Sequence, residues 1–495
     1  METLSPYFGN DEARRTFSNS LSIFLRRPEA GPILVILLWA SLSLPHLGLR
    51  SFIWEEGTNA EIARDVLAHR HFLEPYIYGI RWSEKPSLLP WLIAGVASLT
   101  GQVDEWSARL PSMISVLLTA LLVQRLTRRY ASFSASLFAS FCFLLSPLLL
   151  QKLTIAEPDT VLTFLSFAAF VLWWNGASRG GVSLIRWIGC GCLLSVLAMA
   201  KGPQPVGFFA LGVLAYLILE RQWRELPGFL LCLALPALAT VAWGLSVYRP
   251  GSGATWLAYA RLDASPDLFD YMHEKFRTFA EAILELMPGL LVLPFVPWPW
   301  RNPWRNPWRN RRGMSAPASS ITSPLILYSL TCTVALFLWP GAHSRYAMPI
   351  APSLAVLEGF GWDAIASFKY RLLRRTLTAA LGILAAYQFI LVVAIMPLYA
   401  DLFGMSRRDG IAISEAIRLS PAPVYCANLD TNQLFYVNQH ERCLNAAEWA
   451  SLAPPAWLLL DPASLARFAA LRPDAKLRVV VETKSGPHLA AVRFE

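Results

Sequence analysis

Charge is scarce in this sequence. Asp, Glu, Lys and Arg make up 16% of 495 residues, where a soluble domain carries about 25%. The shortage excludes an ordinary soluble enzyme, and the apolar share of 55% points the same way. Mean hydropathy is +0.41. Cysteine is sparse too, at seven residues, five of which (Cys142, Cys190, Cys192, Cys232 and Cys332) fall in apolar runs and read as small apolar side chains. That argues against a thiolate metal centre. The sequence has no Asp-x-Asp pair in a polar domain and no Gly-rich phosphate loop, so no nucleotide site is expected. Ionisable residues are nearly missing from the middle of the apolar runs, and the runs do not repeat. Both absences weigh against a transporter or flippase, which needs charged groups along its path.

Apolar runs are abundant. A helix crosses a bilayer with roughly 20 mostly apolar residues. The windows 32–49, 110–126, 132–150, 161–174, 187–200, 206–219, 227–247, 282–296, 321–339, 348–365 and 377–394 qualify wholly or in part. An α-helical polytopic membrane protein of about 11–13 spans is expected, the lower count requiring 86–99 to dip into the interface without crossing. No cleavable signal pattern precedes the first window, which is expected to act as an uncleaved anchor.

The net charge of +9 does not indicate nucleic acid, because the basic residues cluster in short loops, as in membrane proteins. Arg14, Arg15, Arg26 and Arg27, then the clusters at 125–130, 179–186, 220–225, 301–312 and 369–375, are assigned to the cytoplasm. The remaining connections then share the outer face: 50–105, 151–160, 201–204, 248–281, 341–346 and the tail after 400. They hold Glu55, Glu56, Glu84, Lys85, Glu157, Asp159, Lys201, His343 and Arg345. The orientation rests on basic loops alone, yet the acidic residues collect opposite them.

Three regions follow: a cytoplasmic segment 1–30, a membrane domain 31–398 with an outer loop 51–105, and an outer α/β domain 399–495. In the last, "PVYCANL" and "AWLLLD" read as strands, "PASLARFAALR" as an amphipathic helix, and "LRVVVETKSGPHLAAVRF" as two strands joined by a turn. Cys426 and Cys443 can pair if this domain lies outside the cytoplasm. The tandem "WRNPWRNPWRNRR" reads as a basic cytoplasmic loop with interfacial Trp, or as a headgroup patch.

The outer loops supply the candidate site. "WEEGTNAEIARDVL" places Glu55 and Glu56 directly after the first span. Residues 60–67 then form a helix with Ile62, Val66 and Leu67 opposite Glu61, Arg64 and Asp65, expected to lie flat in the interface. Glu84-Lys85 precedes Pro86 and an apolar helix. Lys85 there can meet a phosphate diester, with Glu84 holding it or a metal; the pair can equally be snorkelling charges at a helix end. Asp159 can cap the helix beginning near Thr160 or serve the chemistry. Lys201 before a Gly-Pro break needs an anionic partner or snorkels. Arg345 has a fork suited to phosphate oxygens, while the adjacent His343 reads as a polar loop residue. Together these groups suit a reaction at a lipid-linked phosphate. Cations steady the leaving group and a carboxylate takes a proton from the acceptor hydroxyl.

"EEGTNAEIARDVL", "EKPSLLPWLIA" and "WSARLPS", followed by "AEPDTVLTF", "MAKGPQPVGF" and "SRYAMPIAP", resemble in order the landmarks of a family. It is that of the membrane glycosyltransferases related to aminoarabinose lipid A transferases and protein O-mannosyltransferases. The resemblance covers roughly residues 33–362. It implies a GT-C fold and a polyprenyl-phosphate-linked sugar as donor. It also implies inverting transfer to a lipid A, glycan or protein hydroxyl on the periplasmic side of a bacterial inner membrane. Glu55 stands where the family usually has its catalytic Asp, and Asp159 matches the second acidic position and is the alternative base. Lys85 matches the donor-phosphate ligand, Glu84 a position that can help bind a divalent metal, and Lys201 and Arg345 further phosphate-side cations. Glu56, Arg64, Glu157 and His343 complete the candidates, and the 248–281 connection, with Asp263, Asp267, Asp270 and Glu274, is expected to cover the cavity. A lipid transporter and a non-catalytic scaffold are the competing classes.

Overall fold

The computed structural model describes residues 27, 29–178, 183–249, 268–297, 319–339, 343–427, 431–437, 442–444, 446–484 and 490–495. The N-terminal basic segment, the tandem repeat and residues 250–267, with Asp263 and Asp267, lie outside the described residues.

The helices run in chain order: α1 (Ala30–Ser43), α2 (Glu56–His69), α3 (Leu88–Thr100), α4 (Glu105–Tyr130), α5 (Phe133–Leu145), α6 (Pro147–Lys152), α7 (Pro158–Ala177), α8 (Leu184–Lys201) and α9 (Val206–Leu219). Then come α10 (Leu226–Val247), α11 (Leu268–Glu285), α12 (Ser319–Leu338), α13 (Ala351–Ala364) and α14 (Arg371–Ile390). Among the described residues, six helical stretches are long and apolar enough to cross a membrane. A seventh candidate joins 269–285 to Gly289–Phe295 through a 92° bend, and α1, α3, α5 and α9 are shorter apolar helices. The chain is a multi-pass membrane protein.

Local chemistry sets several boundaries. α4 opens on a reciprocal cap, in which the Ser107 N–H donates to Asp104 and the Ser107 hydroxyl accepts from the Asp104 N–H. The window expected at 132–150 divides at Ser146, whose backbone is extended and whose Oγ accepts from the Leu149 N–H. Pro147, lacking an N–H, starts α6 as a first helical residue. α7 begins at Pro158, two residues earlier than expected, so Asp159 is helical and does not cap.

α2 does not lie flat on lipid. It is buried between the membrane helices and the C-terminal domain, with Glu56, Asn59, Glu61 and Asp65 all enclosed. The polar side that suggested an interfacial helix faces protein.

The C-terminal domain adds α15 (Met405–Leu419), α16 (Thr431–Val437) and α17 (Pro462–Leu471) to a five-stranded sheet in the order β4-β3-β5-β7-β6. The strands are β3 (Val424–Cys426), β4 (Arg442–Cys443), β5 (Ala456–Leu460), β6 (Leu477–Glu482) and β7 (Ala490–Phe494); β1 and β2 form a small hairpin, Tyr76–Ile77 with Ile80–Arg81. β3 runs parallel to both neighbours, and β7 runs antiparallel to β5 and β6. Every residue of β5 is buried, as its unbroken apolar run requires of a central strand. Cys426 and Cys443 face each other across β3 and β4 and form a disulfide.

This domain is joined closely to the outer loop. The Gly57 N–H donates to Asn432 Oδ1 at 3.1 Å, and Thr58 and Thr431 hydroxyls meet at 2.9 Å. The Tyr436 hydroxyl accepts from the Phe52 N–H at 2.9 Å and donates to Glu105 at 2.6 Å. Phe52, Leu434 and Cys426 belong to the same apolar core as the membrane helices.

Candidate active site

The two adjacent glutamates at the end of the first outer turn have opposite surroundings. Glu56 is fully buried. Its carboxylate accepts from Arg109 Nε at 2.8 Å and Nη2 at 3.1 Å, from Arg50 at 2.8 Å, and from the backbone N–H groups of Ile53 at 3.1 Å and Ala156 at 3.0 Å. Burial acts against its charge, but Arg109 and Arg50 outweigh burial and bring the carboxyl down to about 2. This knot ties the loop before α2 to α4 and to the turn before α7. It fixes where the neighbouring residue points, and Glu56 itself has no route to a ligand.

Glu55 keeps 42% of its side chain exposed. Its Oε2 accepts from Lys85 Nζ at 2.5 Å. Burial pushes the Glu55 carboxyl up, but Lys85, with Lys201 and Arg345 beyond it, holds the group below the ordinary glutamate value. Lys201 closes α8 and donates to Asp159 Oδ1 at 2.7 Å, with its ammonium 4.4 Å from the Tyr346 ring centroid. Arg345 sits in the 3-10 turn Ser344–Ile350, 5.6 Å from the same ring. Burial disfavours its charge, and Asp159 restores it. The Arg345 Nε is buried and finds no acceptor among the described residues. Three cations, Lys85, Lys201 and Arg345, thus share two carboxylates, Glu55 and Asp159.

An apolar cavity of about 180 Å³ opens beside this cluster. Leu162, Phe208, Leu211, Leu336 and Trp339 form its walls, while Asp159, Lys201 and Tyr346 stand at its polar end. An apolar trough ending in cations fits an amphiphile with a long hydrocarbon and an anionic head.

The other sequence candidates fall elsewhere. Glu157 is buried and accepts from Lys152 Nζ at 2.5 Å; that ammonium lies 4.1 Å from the Trp54 ring centroid. Arg64 donates to Glu61 at 2.7 Å and to the Phe435 carbonyl at 3.1 Å, its guanidinium 3.8 Å from the Phe435 ring centroid. It fastens the C-terminal domain and lies outside the ionic cluster. His343 is exposed, packs edge-on to Tyr346, and lines a separate cavity with Lys275 and Phe279. Glu84 is half-buried in the bend before Lys85 and belongs to no set of three potential metal ligands among the described residues. Asp270 and Glu274 lie on α11.

Sequence reading missed Arg50, Arg109 and Tyr346. Arg109 did leave a signal, an arginine within the first turns of an apolar helix in "WSARLPS". Tyr346, between the two cations, had only its place in "SRYAMP".

Comparison with known proteins fits this arrangement. Residues 84–245 match the family described as dolichyl-phosphate-mannose-protein mannosyltransferase. An undecaprenyl phosphate-α-4-amino-4-deoxy-L-arabinose arabinosyl transferase of Pseudomonas aeruginosa is 29% identical over 332 residues, covering 62% of this chain and 55% of the relative. Its counterpart in Erwinia tasmaniensis is 27% identical over 386 residues, covering 73% and 65%. The chain therefore spans less than two thirds of the length of these curated relatives. Among solved structures, ArnT from Cupriavidus metallidurans superposes with a TM-score of 0.69 at 16% identity, over 96% of this chain and 98% of that one, in its apo form and bound to undecaprenyl phosphate. The Archaeoglobus fulgidus oligosaccharyltransferase reaches 0.50 at 13% identity, over 85% and 64%. The chain thus shares the GT-C fold of ArnT, and its sequence is similar to the mannosyltransferase family over residues 84–245 and to the arabinosyl transferases over 62–73% of its length.

Proposed function

We propose that the protein transfers a sugar from a polyprenyl-phosphate-linked donor to an acceptor hydroxyl of lipid A, another glycan or a protein, with inversion. The reaction takes place on the periplasmic side of a bacterial inner membrane. The observation that carries the reading is the apolar cavity that ends at Lys201 and Tyr346, beside Arg345, Lys85 and the two carboxylates. The disulfide in the domain that packs on this loop agrees with an oxidising compartment.

The prenyl tail occupies the apolar trough. The donor phosphate meets Lys85, Lys201 and the free Nε–H of Arg345, and their charge steadies the phosphate as it departs. Lys85 leaves Glu55 for the phosphate, whose negative charge grows as the bond to the sugar breaks. Glu55, now unpaired and the more exposed of the two carboxylates, takes the proton of the acceptor hydroxyl. The acceptor oxygen attacks the anomeric carbon from the face opposite the phosphate. A new carbon–oxygen bond forms, the bond to the phosphate oxygen breaks, and polyprenyl phosphate leaves with both electrons. Asp159, only 4% exposed and held by Lys201, positions that cation. No step is routed through a metal at Glu84, which belongs to no group of three potential ligands among the described residues.

The test is mass spectrometry of envelope lipids and glycans from cells with the chain, without it, and with Glu55→Gln. A sugar present only with the intact chain supports the proposal. Identical profiles in all three would count decisively against a transferase.

A further inference from the structure

A second group of chemistry-bearing side chains lies at the far end of α2. The stretch "RDVLAHRH" sets Asp65 and His69 four residues apart, one turn along the same helix face. α2 ends at His69, and Arg70 adopts φ 63° and ψ 25°, the left-handed conformation that reverses a chain at a helix end. That reversal brings His71 back over the last turn. His69 Nδ1 lies 3.0 Å from Asp65 Oδ1, and His71 Nδ1 lies 3.1 Å from both Asp65 oxygens. The two imidazole rings stack with centroids 5.4 Å apart and planes 20° from parallel. Asp65 is largely buried and is fixed by the Tyr76 N–H, which donates to Oδ2 at 3.0 Å.

One atom from each of the three side chains falls within 4.8 Å of the others. Ligand atoms on a tetrahedral zinc ion with bonds of about 2.0–2.1 Å stand about 3.3–3.4 Å apart. The His–Asp separations here need to open by only a few tenths of an ångström. Two neutral imidazoles and a carboxylate are the donor set of a zinc ion that keeps one position for water. Asp65 is anchored through the Tyr76 N–H, so one ligand is held in place before the ion arrives.

We infer that Asp65, His69 and His71 bind one divalent transition ion of the zinc type. The site is separate from the reaction centre, since α2 has 14 residues and so measures roughly 20 Å, with Glu55 at its opposite end. The ion takes the place of the imidazole protons facing Asp65 and clips the segment after α2 to the helix. That segment leads into the β1–β2 hairpin and on to Lys85, and the Tyr78 carbonyl of the hairpin accepts from the Cys443 N–H. The ion therefore steadies a joint between the donor-phosphate loop and the C-terminal domain.

The experiment uses the full chain in detergent, purified without a polyhistidine tag and stripped with a chelator. Zn²⁺ is then titrated against a chromophoric chelator. Wild type is expected to take up one equivalent, and Glu84→Gln to take up the same. His69→Ala/His71→Ala is expected to lose that equivalent. Both rings are substantially exposed, so the double variant should fold, and size-exclusion chromatography checks this. Each single His→Ala should weaken binding by at least about tenfold, the loss seen when merely outer-shell partners of a metal are removed. No uptake by wild type, or an unchanged equivalent in the double variant, overturns the proposal.

Discussion

Replacing Glu55 and Glu56 separately by Gln should give opposite phenotypes from neighbouring positions. Glu56→Gln places a neutral amide, with its own N–H donors, against two buried guanidinium groups that now share one carboxylate. Breaking a buried pair from one side costs about 3–5 kcal/mol. The fall of the Glu56 carboxyl from 4.5 to about 2 is equivalent to roughly 3 kcal/mol, so the two figures agree. Glu55→Gln removes a half-exposed pair with Lys85, worth no more than about 1 kcal/mol to stability. It also removes the proposed base, which should lower kcat by about 10²–10⁴-fold. The assay pairs thermal unfolding in detergent with turnover of a prenyl-phosphate sugar. Glu56→Gln should unfold about 3–5 °C below wild type, and Glu55→Gln within about 1 °C of the wild-type temperature. If Glu56→Gln unfolds with wild type, the buried knot does not hold the loop. If Glu55→Gln turns over within about threefold of wild type, the base is another group.

Further outcomes follow from the same geometry. Glu56 is depressed on folding, so its stabilisation is complete above pH 4.5 and fades as pH falls toward about 2; unfolding temperature measured across that interval should fall more steeply for wild type than for Glu56→Gln. Lys85 holds Glu55 below the ordinary glutamate value, so in Lys85→Met the acid limb of the kcat/KM profile should move to higher pH; an unmoved limb would separate Lys85 from the base. At Gly57 a methyl group would come within 2.6 Å of the Thr431 carbonyl oxygen and 2.8 Å of the Asn432 nitrogen, both backbone atoms that cannot step aside. Gly57→Ala should therefore loosen the C-terminal domain, seen as faster hydrogen exchange in α16, and unchanged exchange would refute the contact. Cys426 and Cys443 close a loop with a sequence separation of 17, worth about 3 kcal/mol in chain entropy. Cys443→Ser should lower the unfolding temperature of the domain under oxidising conditions, and its difference from wild type should vanish under reducing conditions.

Much of this was legible in the chain itself. Apolar runs and basic loops are local properties, and bilayer thickness and loop charge act on them directly. They were enough to indicate the helical membrane domain and to gather the acids of 50–105 and 151–160 at one face. The strands at 424–426, 456–460, 477–482 and 490–494 followed from their own residues. Tertiary structure alone decided which of two adjacent glutamates is locked away, because arginines from 50 and 109 claim Glu56 and leave Glu55 partly exposed. It gave Lys85 a partner thirty residues upstream and gave Asp159 to Lys201. It also turned α2 from a surface helix into a buried strut by laying α16 across it. Pairing of charges across a fold depends on distances between segments that sequence spacing does not encode, and burial then amplifies those pairings where water is excluded.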